Sequence, residues 1–410
     1  MVSYKYVILG GGMVAGYAAR EFVERGVGPG ELAILSSDSV PPYERPPLSK
    51  GFLAGVDSED SILINPESFY AEHGIDLRLT TRVVRVDPNA KRLFTSAGDE
   101  FGFDKLLIAT GANVRMLETP GAALDGVFSL RTFDDARRLR DASKHAQQAV
   151  VVGGGFIAME VASVLATAGV KTTMLFPEDR VWMRLFSPEM SMFFARYYQQ
   201  RDVTFVAGET ATALEGTGNV TEVVTSSGRR VPADLVVAGI GVVPALDAVS
   251  DSGVTIDNGV RVNEFLETGR ADVYAAGDIA NYRDVIFEKQ RRAEHWDNAV
   301  EQGKHAARAM LGEREPFIHV PYFFSDVFDL SYEFWGDAAD ADRVVYRGDV
   351  STRSFSAWWL RDRHVRAAFV MDRPDDERER APVWIAEHQQ VDAERMSDET
   401  VPLSDLMVKS

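Results

Sequence analysis

Apolar residues along this chain fall into two recurring patterns. Short unbroken runs, Tyr6-Val7-Ile8-Leu9 first among them, read as strands buried on both faces. Longer amphipathic stretches, such as the one opening at Met13-Val14-Ala15-Gly16-Tyr17-Ala18-Ala19, read as helices. Further strands are expected over 31–35, 106–111, 149–152, 171–176, 235–244 and 273–276, with weak alternation at 82–87. Further helices are expected near Leu48, from Phe156, and over 136–146 and 297–311. The regular exchange of strand and helix predicts an α/β fold. After residue 321 the pattern changes. Aromatics crowd in at Tyr322, Phe323, Phe324, Phe328, Tyr332, Phe334 and Trp335, and strands alternate over 354–360 and 365–371. This predicts a separate C-terminal α+β domain, its aromatics either core or, at their start, the wall of a ring-binding pocket.

Two strand-to-helix junctions share one motif. Gly10-Gly11-Gly12 with Ala15 follows the first strand, and Gly153-Gly154-Gly155 with Ala158 follows another, 143 residues on (153 − 10). The first glycine permits the tight turn, and the third lets backbone approach a phosphate. The small residue after them lets helix meet strand. Free N–H groups and the dipole at each helix start favour a pyrophosphate. Each motif is followed by an acid beyond the next strand, Asp38 and Glu178, the latter 23 residues past Gly155 (178 − 155). Two such units predict two bound dinucleotides and hydride exchange between them. Glu178 suits the 2′-hydroxyl of NAD and repels the 2′-phosphate of NADP, so NADH is expected over NADPH, with Arg180 and Arg184 nearby. An exposed loop acid is the other reading of Glu178.

Composition then removes several classes. The 410 residues contain no cysteine, which excludes disulfides, thiolate-bound zinc, iron–sulfur ligation and a redox dithiol; no metal site is expected. Net charge is −18 (44 − 62), which disfavours nucleic acid and anionic membrane. No apolar run reaches membrane-spanning length and the start does not resemble a signal peptide, so a cytoplasmic protein is expected. The Pro-rich segment 41–50 carries Arg45 and Lys50, either on a solvated loop or flanking a cofactor ring. Gly277-Asp278 closes a strand, where the acid could take a polyol hydroxyl or cap a helix. His295, between Glu294 and Trp296, lacks a visible partner acid and reads as positional.

Taken together, the two Gly-rich units, Ala109-Thr110-Gly111 and the 268–278 stretch resemble the FAD-dependent pyridine-nucleotide reductases over essentially the whole chain. Pro42-Tyr43-Glu44-Arg45-Pro46-Pro47-Leu48-Ser49-Lys50 resembles the branch of ferredoxin and rubredoxin reductases, apoptosis-inducing factor and monodehydroascorbate reductase. Residues 4–22 and 30–50 look most like monodehydroascorbate reductase. The resemblance implies two Rossmann-like domains in a glutathione-reductase-like architecture plus the C-terminal domain. FAD would be bound by 1–115 and 245–320, NADH by 116–244, with 321–410 as the third domain. By position, Gly10, Gly12, Met13, Val14, Ala15, Asp38, Arg45, Lys50, Val83, Thr110, Gly111, Arg131, Asp278, His295 and Trp296 would meet FAD. Gly153, Gly155, Phe156, Ile157, Glu160, Glu178, Gly241 and Glu294 would meet NAD(H), with Lys50 and Glu160 the catalytic pair beside the flavin.

The implied activity is NADH oxidation through FAD, with electrons leaving singly to a ferredoxin- or rubredoxin-type protein or a small radical or quinone. Monodehydroascorbate reduction is one alternative. An NADH-sensing scaffold like apoptosis-inducing factor is another, and either a monomer or a homodimer is expected. On the acceptor side stand Val300, Tyr322, Phe324 and Asp326. Monodehydroascorbate reductases have Arg at the position of Val300, usually Tyr at Phe324 and commonly Arg at Asp326. These departures remove groups that could hold an ascorbate radical. Ferredoxin reductases tend to show an aromatic–Phe–aromatic–Ser/Thr–acid run, which 322–326 fits.

Overall fold

The first apolar run sits mid-sheet because apolar neighbours cover both its faces. In the computed structural model, which describes residues 2–408, Val2–Leu9 pairs in parallel with Leu32–Leu35 and with Glu100–Ile108. Asp76–Arg78 extends one side of the sheet, and Val273–Ala275 adds in parallel to Glu100–Ile108. Among the described residues the α-helices are α1 (Met13–Glu24), α2 (Glu67–Glu72), α3 (Phe133–Ser143), α4 (Phe156–Thr167), α5 (Pro188–Gln199), α6 (Trp296–Leu311) and α7 (Asp375–Ala386). None is long and apolar enough to cross a membrane.

The chain divides into two compact units. One holds residues up to Pro46, Asp57–Asn113 and Val242–Pro321; the other holds Pro47–Val56, Val114–Gly241 and residues from Tyr322 on. In the first, α1 crosses α6 closely: a Cβ at Gly303 would lie 2.8 Å from the Val14 carbonyl oxygen, so glycine is required there. Val7, Ile8, Ala15, Phe22, Leu107, Ala275 and Ala306 fill this core with no exposed surface.

The second unit carries a parallel sheet in the order Val203–Ala207, Lys171–Phe176, Gln148–Val152, Leu235–Ala238, Val127–Ser129. It also carries an antiparallel sheet in the order Tyr322–Val327, Leu330–Gly336, His364–Met371, Phe355–Arg361, Arg343–Gly348. Tyr332, Phe334 and Trp335 are core, whereas Tyr322, Phe323 and Phe324 stay half-exposed, so the aromatic stripe splits between the two roles its sequence allowed. The last stretch of chain is held by buried Arg347, which pairs with Glu377 and donates to the carbonyls of Met396, Asp398 and Val401.

Two expectations about elements change. The helix foreseen near Leu48 is a 3-10 turn over Pro46–Ser49, opened by two prolines and followed after Lys50 by Gly51. The helix foreseen over 136–146 starts at Phe133, where Thr132 and Asp135 form a reciprocal cap.

Candidate functional site

In the first unit, the Gly10 backbone takes φ +123°, and a Cβ there would lie 2.2 Å from the Ala109 carbonyl oxygen. Only glycine makes this turn. At Gly12, the residue capping α1, no side chain caps the helix, and an added Cβ would meet only Arg45 Nη2, at 3.7 Å. The turn therefore presents free N–H groups beside a guanidinium, while Met13, Val14 and Ala15 are buried behind it. The residues present fit a dinucleotide phosphate.

Other predicted residues of this unit are placed as follows. Asp38 accepts from the Ser39 N–H at 2.9 Å and the Tyr43 hydroxyl at 2.9 Å. Val83 is buried at the start of Val83–Asp87. Thr110 Oγ1 donates to the Ala245 carbonyl at 2.8 Å, and Gly111 follows at φ +67°. Asp278 stands in a single 3-10 turn, Gly277–Ile279, and the Gly277 N–H donates to the fully buried Gln302. His295 caps α6 with extended backbone and no side-chain cap bond. Trp296 Nε1 donates to Glu44 at 2.5 Å, and the Tyr17 hydroxyl donates to the other Glu44 oxygen at 2.5 Å. Burial, and then the Glu44 carboxylate, push the Tyr17 phenol above its ordinary value. This ties α1, the Pro-rich segment and the start of α6 together. Glu294 is exposed and pairs with Arg292. Val300 is only 4% exposed and packs in the core. An acceptor-facing side chain was expected there. Instead the inward face of α6 carries it.

The second unit repeats the Gly-rich turn. Gly153 takes φ +130°, with the Gly239 carbonyl oxygen 2.2 Å from any Cβ added to it. Gly155 caps α4, and an added Cβ there would meet nothing within 4 Å, leaving room for phosphate at the helix start. Phe156 packs on Phe323, ring centroids 4.4 Å apart, and Ile157 is exposed. Glu178 is half-buried in the loop after Lys171–Phe176, and its carbonyl accepts from the Gly208 N–H. Gly241 takes φ +99° and its carbonyl accepts from the Arg115 N–H. Arg131 and Lys50, predicted for FAD, belong to this unit. The Arg131 N–H donates to Asp135 at 3.2 Å.

One turn into α4 the structure brings predicted residues together. Glu160, 4% exposed, accepts from Lys50 Nζ at 2.6 Å. It also accepts from the hydroxyls of Ser49, at 2.5 Å, and Ser325, at 2.6 Å. Lys50 Nζ lies 5.3 Å from the centre of the Phe324 ring. Tyr322 donates to Glu333 at 2.8 Å, and Asp326 is exposed. Beneath Glu160, burial pushes the phenols of Tyr198 and Tyr332 well above their ordinary value. Sequence reasoning missed Ser49, Ser325, Glu44 and Gln302. Serine carries no signal of its own, although Ser325 shares a strand with three predicted residues.

Known proteins resemble this chain over most of its length. Residues 4–303 match the family model described as pyridine nucleotide-disulphide oxidoreductase, and 322–407 match the reductase C-terminal model. A peroxisomal monodehydroascorbate reductase of Oryza sativa subsp. japonica is 40% identical over 90% of this chain and 83% of its own. The monodehydroascorbate reductase of Pisum sativum is 37% identical over 97% and 98%. Among solved structures, a covalent putidaredoxin reductase–putidaredoxin complex aligns at TM-score 0.94, with 29% identity and 99% and 98% coverage. A ferredoxin reductase from Rhodopseudomonas palustris aligns at 0.93, with 30% identity and 98% coverage of both chains. With two Gly turns of one design, a lysine paired to a buried glutamate and matches across both parts of the chain, the protein belongs to the pyridine nucleotide-disulphide oxidoreductase family, as an FAD-dependent NAD(P)H oxidoreductase.

Proposed function

We propose that this protein oxidises NADH through FAD and passes the electrons singly to a small redox protein of the ferredoxin class. One observation carries the reading: a chain with no cysteine holds Lys50 against the buried Glu160 carboxylate, so no dithiol can relay electrons to the acceptor. When bound, FAD supplies a ring that takes two electrons from reduced nicotinamide and releases them one at a time.

The chain's own residues bind and orient. On this reading, the α1 start with Gly10, Gly12 and Arg45 holds the FAD diphosphate, Asp38 its ribose and Asp278 its polyol chain. Gly153, Gly155 and the α4 start hold the nicotinamide dinucleotide, and Glu178 accepts from its ribose 2′-hydroxyl. Lys50, fixed by Glu160, keeps a positive charge in one place.

Two observations support a protein acceptor over an ascorbate radical. Phe324 offers no hydroxyl and Asp326 is an exposed acid, while Val300 lies in the core. The solved structures above include a reductase joined to its redox-protein partner. The second reading, monodehydroascorbate reduction, is favoured by identities of 36–40% to the plant enzymes. Steady-state turnover with NADH against ferredoxin, monodehydroascorbate, quinone and ferricyanide separates them. The proposal expects ferredoxin to give the highest kcat/KM. Highest efficiency with monodehydroascorbate selects the second reading, and no turnover even with ferricyanide leaves only an NADH-sensing scaffold.

A further inference from the structure

The Glu160 carboxylate is buried, so water cannot replace a partner it loses. Lys50 and Ser325 share its Oε1, and Ser49 holds its Oε2. Ser49 restrains Oε2, and Ser325 gives Oε1 a second anchor beside Lys50, so rotation of the carboxylate breaks bonds at both oxygens. Ser325 is itself 1% exposed and sits in Tyr322–Val327, on the same strand face as Phe323, which packs on Phe156 one turn before Glu160. Its other neighbour, Phe324, lies under the Lys50 ammonium. One strand therefore touches both members of the pair.

We propose that Ser325, assisted by Ser49, is a positioning residue for electron transfer from nicotinamide to flavin. It fixes the Glu160 carboxylate and, through it, the Lys50 ammonium. The inference rests on the reading of Lys50 and Glu160 as the pair beside the flavin.

The test uses FAD-loaded enzyme carrying Ser325→Ala, Glu160→Gln or both. Three quantities are read: anaerobic flavin bleaching by NADH, re-oxidation by ferricyanide, and modification of Lys50 by trinitrobenzenesulfonate, mapped by mass among the nine lysines. Loss of one hydrogen bond to a charged group should slow bleaching in Ser325→Ala about tenfold. Re-oxidation should stay within about twofold, and Lys50 alone should become more reactive. In the Glu160→Gln background, Ser325→Ala should have little further effect, because both act through one carboxylate. Wild-type bleaching in Ser325→Ala, or slowing that adds fully to Glu160→Gln with Lys50 reactivity unchanged, would overturn the proposal and leave Ser325 a packing residue. Wild-type bleaching in Glu160→Gln would instead overturn the reading of the pair itself.

Discussion

Gly153 and Gly155 stand two residues apart and answer different demands. An alanine methyl at Gly153 would meet the Gly239 carbonyl oxygen at 2.2 Å on a left-handed backbone; one at Gly155 would meet no protein atom within 4 Å. Gly153→Ala should therefore lower stability by about 2 kcal/mol or more. Gly155→Ala should leave the melting temperature near wild type but weaken NADH binding about tenfold or more, by filling the space in front of the helix start. Thermal melts and NADH titration of both variants check this pair; a fold as damaged by Gly155→Ala as by Gly153→Ala would contradict the assignment. On the proposed reading Glu178 sets the nucleotide choice. Glu178→Ala should narrow the NADH/NADPH ratio in kcat/KM chiefly by improving NADPH, since repulsion of a 2′-phosphate is removed. A wild type preferring NADPH would refute it. Gly153 was legible in the sequence because its backbone geometry restricts it to one residue type, and Gly155 because it stands at the start of a helix in a repeated motif. Ser49 and Ser325 were not, because a hydroxyl's role depends on which carboxylate folding brings to it. The burial of Val300 was not legible either, since position in a family pattern does not say which side of α6 turns inward.

At the scale of elements, α6 links a cap beside the candidate flavin residues to a buried histidine ten residues further on. His305 is 8% exposed and packs against Phe317. Burial first, then the Arg308 charge, hold its pKa below the ordinary 6.5, with Glu313 and the Glu315 backbone opposing. The sign follows from linkage. Above pH 6.5 the imidazole is neutral folded and unfolded, and its contribution to stability is intact. As pH falls below 6.5 the unfolded chain takes up a proton first, so stability is lost down to the lowered folded value. Between pH 7.5 and 5.5 the urea midpoint of the wild type should fall further than that of His305→Gln, measured side by side. Equal falls would remove His305 from the account. Val273–Ala275 lies where the apolar pattern put it, whereas the strand expected over 235–244 breaks at 239–241 into Leu235–Ala238 and Val242–Pro244. The start of α3 was not legible, because Thr132 and Asp135 specify it through a reciprocal cap rather than through apolar periodicity.

At the scale of the whole molecule, the chain changes unit at 113–114, 241–242 and 321–322, and the segments 114–241 and from Tyr322 on, expected as separate domains, fall in one unit. The detour of Pro47–Val56 into the second unit was not legible. It depends on Phe52 packing against Phe133, ring centroids 4.9 Å apart, and under Arg140, contacts far apart in sequence that leave no local trace. Charge acts at this scale as well. With −18 overall, an anionic acceptor is repelled unless a local basic patch outweighs the total. Arg291 and Arg292 are the obvious candidates for such a patch. Arg291 is paired with buried Asp284, and Arg292 with Glu294, so neither guanidinium faces an acceptor without a carboxylate beside it. Asp326 adds an exposed acid on the strand Tyr322–Val327. Repulsion of this kind is screened as the Debye length falls, from about 30 Å at 0.01 M salt to about 8 Å at 0.15 M. Raising salt over that range should therefore increase kcat/KM for monodehydroascorbate and for an acidic ferredoxin, acting on association, while a neutral quinone is unaffected and flavin bleaching by saturating NADH stays constant. A fall in kcat/KM for ferredoxin with salt would mean that a basic docking surface outweighs the net charge, and scanning the exposed arginines one at a time for loss of that salt dependence would locate it.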